Sequence, residues 1–240
     1  MRALIIAAGE GKRLGHLHSP KPLTPLLGKP IIERVILTAR SAGVADFTVV
    51  VGFKGDAIRN ALGDGGRLGV KIDYVVNENW RYGNGTSVYS ARDAFSDETF
   101  VLLMADHLFD PYILAELIEK EEKDRCTLCV DFNLENHEAS LRDDTKVLVE
   151  NGMVKEIGKD LVHFNGIDTG IFLMTPRIFD ALEESLEKGK YSLTDGNRLL
   201  AARGLLHARD IGDRFWVDID DLESLRRAES ALQNELIPGY

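Results

Sequence analysis

The sequence predicts an α/β fold: a doubly wound, mostly parallel sheet through about residue 130, with antiparallel strands added after it. Short apolar runs, RALIIAA (2–8), DFTVVV (46–51), VKIDYVVN (70–77) and TFVLLMAD (99–106), alternate with helical patterns in the first half. The second half instead holds KVLVENGMVKEI, where Asn-Gly separates two short strand-like segments, the strongest short hairpin signal. No low-complexity linker and no internal repeat interrupts the chain. Residues 1–240 therefore read as one domain, with a first half of about 1–130 and a second of about 131–240.

The elements follow in order. RALIIAA is continuously apolar, as a strand buried on both faces must be. KPIIERVILTARSAG reads as a helix: Pro30 suits its first turn, Ile32, Val35, Ile36 and Ala39 share one face, and Gly43 ends it. DFTVVV and VKIDYVVN are the next strands, and SVYSARDAF (87–95) is helical in pattern. TFVLLMAD is a strand ending on an acid, and PYILAELIEKEEK (111–123) is a helix that Asp110 is placed to cap. DTGIFLMTP (168–176) is a strand, followed by the helix RIFDALEESLEKG. Then come SLTDGNRLLAARG, a strand around 205–211, WVDID, and a final helix LESLRRAESALQNEL.

Composition narrows the function. Hydrophobic residues make up 44% of the 240, enough to bury a sizeable core. The net charge of -10 excludes a general nucleic-acid binder, which needs a basic face for phosphate. No apolar run approaches the roughly 18–20 residues of a membrane span, and the chain opens directly on a strand rather than a signal peptide, so the cytoplasm is expected. The only cysteines, Cys126 and Cys129, fall in CTLC. In a strand their side chains point to opposite faces, and His107, His137, His163 and His207 show no ligand spacing, so the pair reads as buried reduced thiols.

The first strand runs into AAGEGKRLGHLHSPKPL (7–23), which concentrates glycine and positive charge. A P-loop would need Gly at position 6 and Ser or Thr at 13, where the chain has Ile6 and Arg13. A dinucleotide fingerprint would need glycine at Leu14 and a helix opening at once. What remains is G-x-G-x-R-L followed by K-P-L. Gly9 and Gly11 let the backbone N–H groups approach a triphosphate. Arg13 offers a planar fork for the β- and γ-phosphates, and Lys21 a compact charge for the α-phosphate.

AAGEGKRL…SPKPLTPLLGKPIIERV closely resembles the opening of the sugar-1-phosphate nucleotidyltransferases, and the resemblance extends over essentially the whole chain. It implies a Rossmann-like mixed sheet of GT-A-like type, with a nucleotide-binding first half and an acceptor-binding second half. It also implies transfer of a nucleotidyl group from an NTP to a sugar or alcohol phosphate, with Mg²⁺ required. Arg13 and Lys21 are then catalytic, while Ala7, Ala8, Gly9, Glu10, Gly11, Gly83 and Gly85 contact the nucleotide.

The same resemblance makes Asp106 a metal ligand, although the family's usual Gly-Asp is Ala105-Asp106 here and His107 follows. WVDIDD supplies the second ligand, Asp220 first and Asp218 second, and one of its three acids caps the last helix. Asn84, Lys159 and Asp168 are the expected acceptor-binding residues. A phosphate monoester is mostly dianionic at neutral pH, so attack on the α-phosphorus needs no general base. MADH, YGNGTSVYSA and WVDIDDLESL together most resemble cytidylyltransferases acting on alcohol phosphates, which implies CTP and inositol 1-phosphate.

Phosphocholine stays open as acceptor, with Trp80, Tyr82 and Tyr89 as a candidate aromatic box, as do uridylyl or thymidylyl transfer to hexose 1-phosphates. A metal-dependent glycosyltransferase using Asp218 and Asp220 and a non-catalytic nucleotide sensor are the readings from other classes. Some relatives are fused to a membrane synthase, and the sequence leaves a homo-oligomer open.

Overall fold

The computed structural model describes residues 1–11, 20–120, 124–137, 142–234 and 236–237. In chain order, β1 (Arg2–Ala7) leads to the two-residue strands β2 (Pro25–Leu26) and β3 (Lys29–Pro30), then α1 (Ile31–Ser41), β4 (Asp46–Val51), α2 (Gly55–Leu62), β5 (Lys71–Val76) and α3 (Asn84–Ser90). β6 (Phe100–Met104), β7 (His107–Phe109), α4 (Pro111–Glu119) and β8 (Cys126–Asp131) follow. The chain continues through β9 (Lys146–Glu150), β10 (Met153–Gly158), β11 (Gly166–Met174), α5 (Arg177–Glu187), α6 (Leu193–Ala202), β12 (Leu206–Asp210), β13 (Trp216–Asp218) and α7 (Leu222–Gln233).

Among the described residues, nine strands form the main sheet in the order β5-β4-β1-β6-β11-β8-β12-β10-β9. The four at one end are parallel, as expected from the apolar runs. The expected boundary at about residue 130 is not a break in the sheet. β11, from the second half, enters antiparallel between β6 and β8 of the first. β12 then returns parallel to β8, and β9 and β10 form the antiparallel edge.

Helices cover both faces. Alternation along β1 sends Ala3, Ile5 and Ala7 to the core under α1, α2, α4 and α7, and Leu4 to the core under α3, α5 and α6. Cys126 and Cys129 enter opposite cores in the same way, both buried as free thiols, and burial lifts the Cys129 thiol to about 12. Each fully buried Leu, Ile or Val contributes about 1.5–3 kcal/mol, so these two layers hold the fold.

Local chemistry sets the ends. Asn151 and Gly152 take φ of 52° and 75°, both in the left-handed region, and make the tight turn that joins β9 to β10. Asp110 caps α4 by accepting from Tyr112 N–H at 2.8 Å, and Asp221 and Ser224 form a reciprocal capping box at α7. Two expectations shift. The helix expected at 87–95 starts earlier, at Asn84, and ends at Ser90 before a separate 3-10 turn. Pro30 stands just ahead of α1, paired with Pro25.

Candidate active site

β1 has β4 on one side and β6 on the other, so the chain's winding reverses between β1 and β6 and opens a crevice at their carboxyl ends. The loop after β1 delivers Lys21 there, and the end of β6 delivers Asp106. β13 pairs antiparallel with β7, setting Asp218 opposite His107, while Ile219 N–H donates to the Asp106 carbonyl at 3.1 Å. Two three-residue strands thus bring Asp106 and Asp218, far apart in the sequence, to one point.

Lys21 lies at that point and is only 7% exposed. Its ammonium donates to Asp106 Oδ2 at 2.6 Å and to Asp220 Oδ1, with Asp218 Oδ1 at 3.6 Å. Burial works against its charge, but the three carboxylates outweigh it and hold the pKa well above the ordinary lysine value. Gly11, at φ 63°, is required beside it: a Cβ there would collide with the Lys21 side chain. Ala7 and Ala8 are buried at the end of β1, Glu10 is exposed, and the space in front of Gly9 is open. Arg13 lies outside the described residues.

His107 is a functional candidate that residue spacing alone does not reveal. Its Nδ1 lies 2.7 Å from the Thr169 carbonyl, which can only accept, so Nδ1 carries a proton. Nε2 faces Asp218 Oδ1 at 3.5 Å and Asp106 Oδ1 at 3.7 Å. Burial opposes a charge on this ring, but Asp218 and then Asp106 push its pKa up to about 9. Asp218 Oδ1 is itself buried without a hydrogen bond. Asp106, His107 and Asp218 offer three ligand atoms within 4.8 Å of one another, an arrangement suited to a divalent ion.

A cavity of about 500 Å³ opens beside these residues. Asn84, Lys159 and Asp168 all line it. Burial raises the Asp168 carboxyl to about 6, although the Gly170 N–H it accepts at 2.8 Å pulls the other way. Asn84 also accepts from Leu193 N–H at 2.8 Å and so ties α3 to the start of α6. Among the described residues, seven carboxylates line the cavity (Asp143, Asp144, Asp168, Asp218, Asp220, Asp221 and Glu223), together with Lys159 and Arg227. Polyphosphate needs bound cations to enter such a place.

On the cavity wall, His137 lies between Asp131 Oδ2 at 3.0 Å and Asp144 Oδ2 at 3.1 Å, and stacks on Trp216. Burial works against its charge, but the two acids push its pKa up to about 9. Trp216 Nε1–H donates to the same Asp131 oxygen at 3.1 Å. No sequence motif marks this group, because β8, the following loop and β13 meet only in the fold.

Gly83, Gly85 and the candidate aromatic box are packed as follows. The space in front of Gly83 and Gly85 is filled by the Tyr191–Ser192 backbone, at 2.6 Å and 2.7 Å from where a Cβ would stand. Their missing side chains therefore let α3 abut the start of α6. Trp80, Tyr82 and Tyr89 do not line the cavity. Trp80 packs on Phe53, Tyr82 on Tyr191, and the Tyr89 hydroxyl donates to Glu183 at 2.6 Å. Among the described residues no helix is long and apolar enough to cross a membrane.

Comparison with known proteins agrees with this architecture. The chain is 32% identical over 240 residues to the bifunctional IPC transferase and DIPP synthase of Rubrobacter xylanophilus, covering 99% of this chain and 52% of that protein. It is 31% identical over 242 residues to the protein of the same name from Aquifex aeolicus, covering 99% and 53%. The chain thus spans about half the length of the curated relatives it matches. The structure of the inositol-1-phosphate CTP transferase from T. maritima superposes with a TM-score of 0.83 at 26% identity, over 97% of this chain and 96% of that one. Residues 3–205, which carry β1, β6, the glycine-rich loop and Asp106 of this crevice, match the model of the MobA-like NTP transferase domain, and the chain belongs to that family.

Proposed function

We propose that this chain transfers CMP from CTP to inositol 1-phosphate, giving CDP-inositol and pyrophosphate. The observation that carries the reading is Lys21: a buried ammonium held by Asp106 and Asp220, residues 85 and 199 positions away, at the mouth of the acidic cavity. Names of full-length relatives and of the T. maritima structure support the choice of substrates.

The residues divide the work. Gly9 and Gly11 shape the turn that approaches the triphosphate, and Arg13 supplies a fork for its outer phosphates. Lys21, released from the carboxylates, reaches the α-phosphate, where its charge offsets repulsion between the two anions. Lys159, with Arg227, faces the acceptor phosphate, and Asn84 and Asp168 accept or donate to acceptor hydroxyls. An acceptor oxygen forms its bond to the α-phosphorus as the bond to pyrophosphate breaks in line. Asp106, Asp218 and Asp220 would hold the ion, Mg²⁺ in the family, which supplies charge neutralisation for the triphosphate and the leaving pyrophosphate.

A polyol acceptor suits a cavity whose wall carries Asp168 and Asn84. The test is a matrix of the four NTPs against inositol 1-phosphate, phosphocholine and hexose 1-phosphates, read as pyrophosphate formation. Fastest turnover with CTP and inositol 1-phosphate is expected. Turnover only with a different pair moves the substrate assignment, and no pyrophosphate with any pair removes the activity.

A further inference from the structure

Asp106 presents its two oxygens to different neighbours. Oδ2 accepts from Lys21, whereas Oδ1 faces His107 Nε2. The imidazole is fixed in three ways. Nδ1–H donates to the Thr169 carbonyl, the ring lies beside Trp216 with centroids 5.7 Å apart, and Gly170, at φ 71°, leaves the space the ring fills. In its neutral form Nε2 then directs a lone pair at the gap between Asp106 Oδ1 and Asp218 Oδ1.

That gap has the dimensions of a coordination site. Two donors each about 2.1 Å from an ion, at angles between octahedral and tetrahedral, lie about 3–3.5 Å apart. The distances from Nε2 are 3.5 Å and 3.7 Å, close to that spacing, and the three ligand atoms all lie within 4.8 Å of one another. Two further observations point to a ligand. His107 is nine-tenths buried with Nε2 aimed into the gap, and Asp218 Oδ1 is buried without a hydrogen bond. A ring whose other nitrogen donates to a backbone carbonyl is the arrangement that orients metal-binding histidines.

We propose that His107 is a direct ligand of the divalent ion, completing with Asp106 and Asp218 a mixed nitrogen and oxygen site that favours manganese(II) or cobalt(II) over magnesium(II). Imidazole suits first-row transition ions, whereas magnesium prefers oxygen donors throughout. The inference rests on the nucleotidyl-transfer reading for the ion's purpose, but ion binding is measured without turnover, so either can fail alone.

The experiment is pulsed electron paramagnetic resonance on the whole chain loaded with Mn²⁺, with and without CTP. Directly bound ¹⁴N is expected in the wild type, changing to ¹⁵N in protein grown with [¹⁵N]histidine, and absent in folded His107→Gln. Calorimetry on the same variant is expected to show Mn²⁺ affinity at least about tenfold lower, with Mg²⁺ affinity falling less. No bound nitrogen in the wild type under either condition overturns the proposal, as does a signal that survives His107→Gln. Should that variant not fold, a His16→Gln/His18→Gln/His137→Gln/His163→Gln/His207→Gln variant, which keeps His107 alone, decides. A retained nitrogen signal supports His107, and its loss assigns the nitrogen elsewhere.

Discussion

The imidazole of His107 occupies the volume that a side chain on Gly170 would need, its Cε1 and Nδ1 each 2.6 Å from where a Cβ would stand. Gly170 belongs to β11, where pairing with β8 shifts register between Asp168 and Phe172, so an irregularity in one strand makes room for a ring on another. Gly170→Ala has to adopt φ 71° and displace the ring as well. The left-handed conformation alone costs about 1–2 kcal/mol. Calorimetry is expected to show a melting temperature lower by at least ~2–4 °C. Turnover should fall more than stability accounts for, because His107 and Asp218 move together.

Lys21→Ala removes the charge that three carboxylates share. Rate is expected to drop about 10²–10³-fold, as for loss of one preorganised donor. The variant should also melt lower than the wild type, since Asp106, Asp218 and Asp220 are left facing each other. Millimolar divalent ion is expected to restore more stability to Lys21→Ala than to the wild type, by binding the folded form alone. Equal ion effects on both proteins would remove Lys21 from this cluster.

His137 gives the fold a pH dependence with a definite sign. Its folded pKa, about 9, lies above the ordinary histidine value near 6.5. The stabilisation from Asp131 and Asp144 is therefore complete below pH ~6.5 and declines as pH rises to ~9. The difference in melting temperature between wild type and His137→Gln should be largest at pH 6 and shrink towards pH 9.5. A difference that does not change over this range would mean that His137 is neutral in the fold.

Asp168 lines the cavity with a carboxyl raised to about 6, so both protonation states are accessible near neutrality. Asp168→Asn keeps the size but removes the charge. Loss of a hydrogen bond to a charged group is worth about 1.5–3 kcal/mol. KM for the acceptor is expected to rise roughly 10–100-fold with KM for the nucleotide unchanged. Steady-state kinetics varying each substrate in turn separates the two.

Gly85→Ala tests what the glycine-rich segment before α3 does. A Cβ at Gly85 meets Tyr191 and Ser192 backbone atoms at 2.7 Å. The expected result is a clear loss of thermal stability, with nucleotide affinity of the folded fraction close to wild type. Weakened nucleotide binding without a stability loss would return Gly85 to the nucleotide site.

The parallel strands, α1, the hairpin and the capping acid Asp110 were legible because each is encoded within a few neighbouring residues. Lys21, Asp106 and Asp220 were legible by resemblance, and the fold gathers them. α2 was missed because only Ile58 and Leu62 of it are buried, too few for a periodic signal. His107 was set aside for want of ligand spacing. Its neighbour Asp218 is brought over by strand pairing across 111 positions, which no local pattern encodes. The same holds for His137, whose partners come from three separate segments.

The position of β11 has a consequence for synthesis. Until residue 174 has left the ribosome, β6 and β8 cannot become neighbours through it, and each presents an open edge able to pair with other chains. The amino-terminal portion of this polypeptide therefore has to wait, partly assembled, for a strand made later, and nascent chains halted before that point should be the aggregation-prone species.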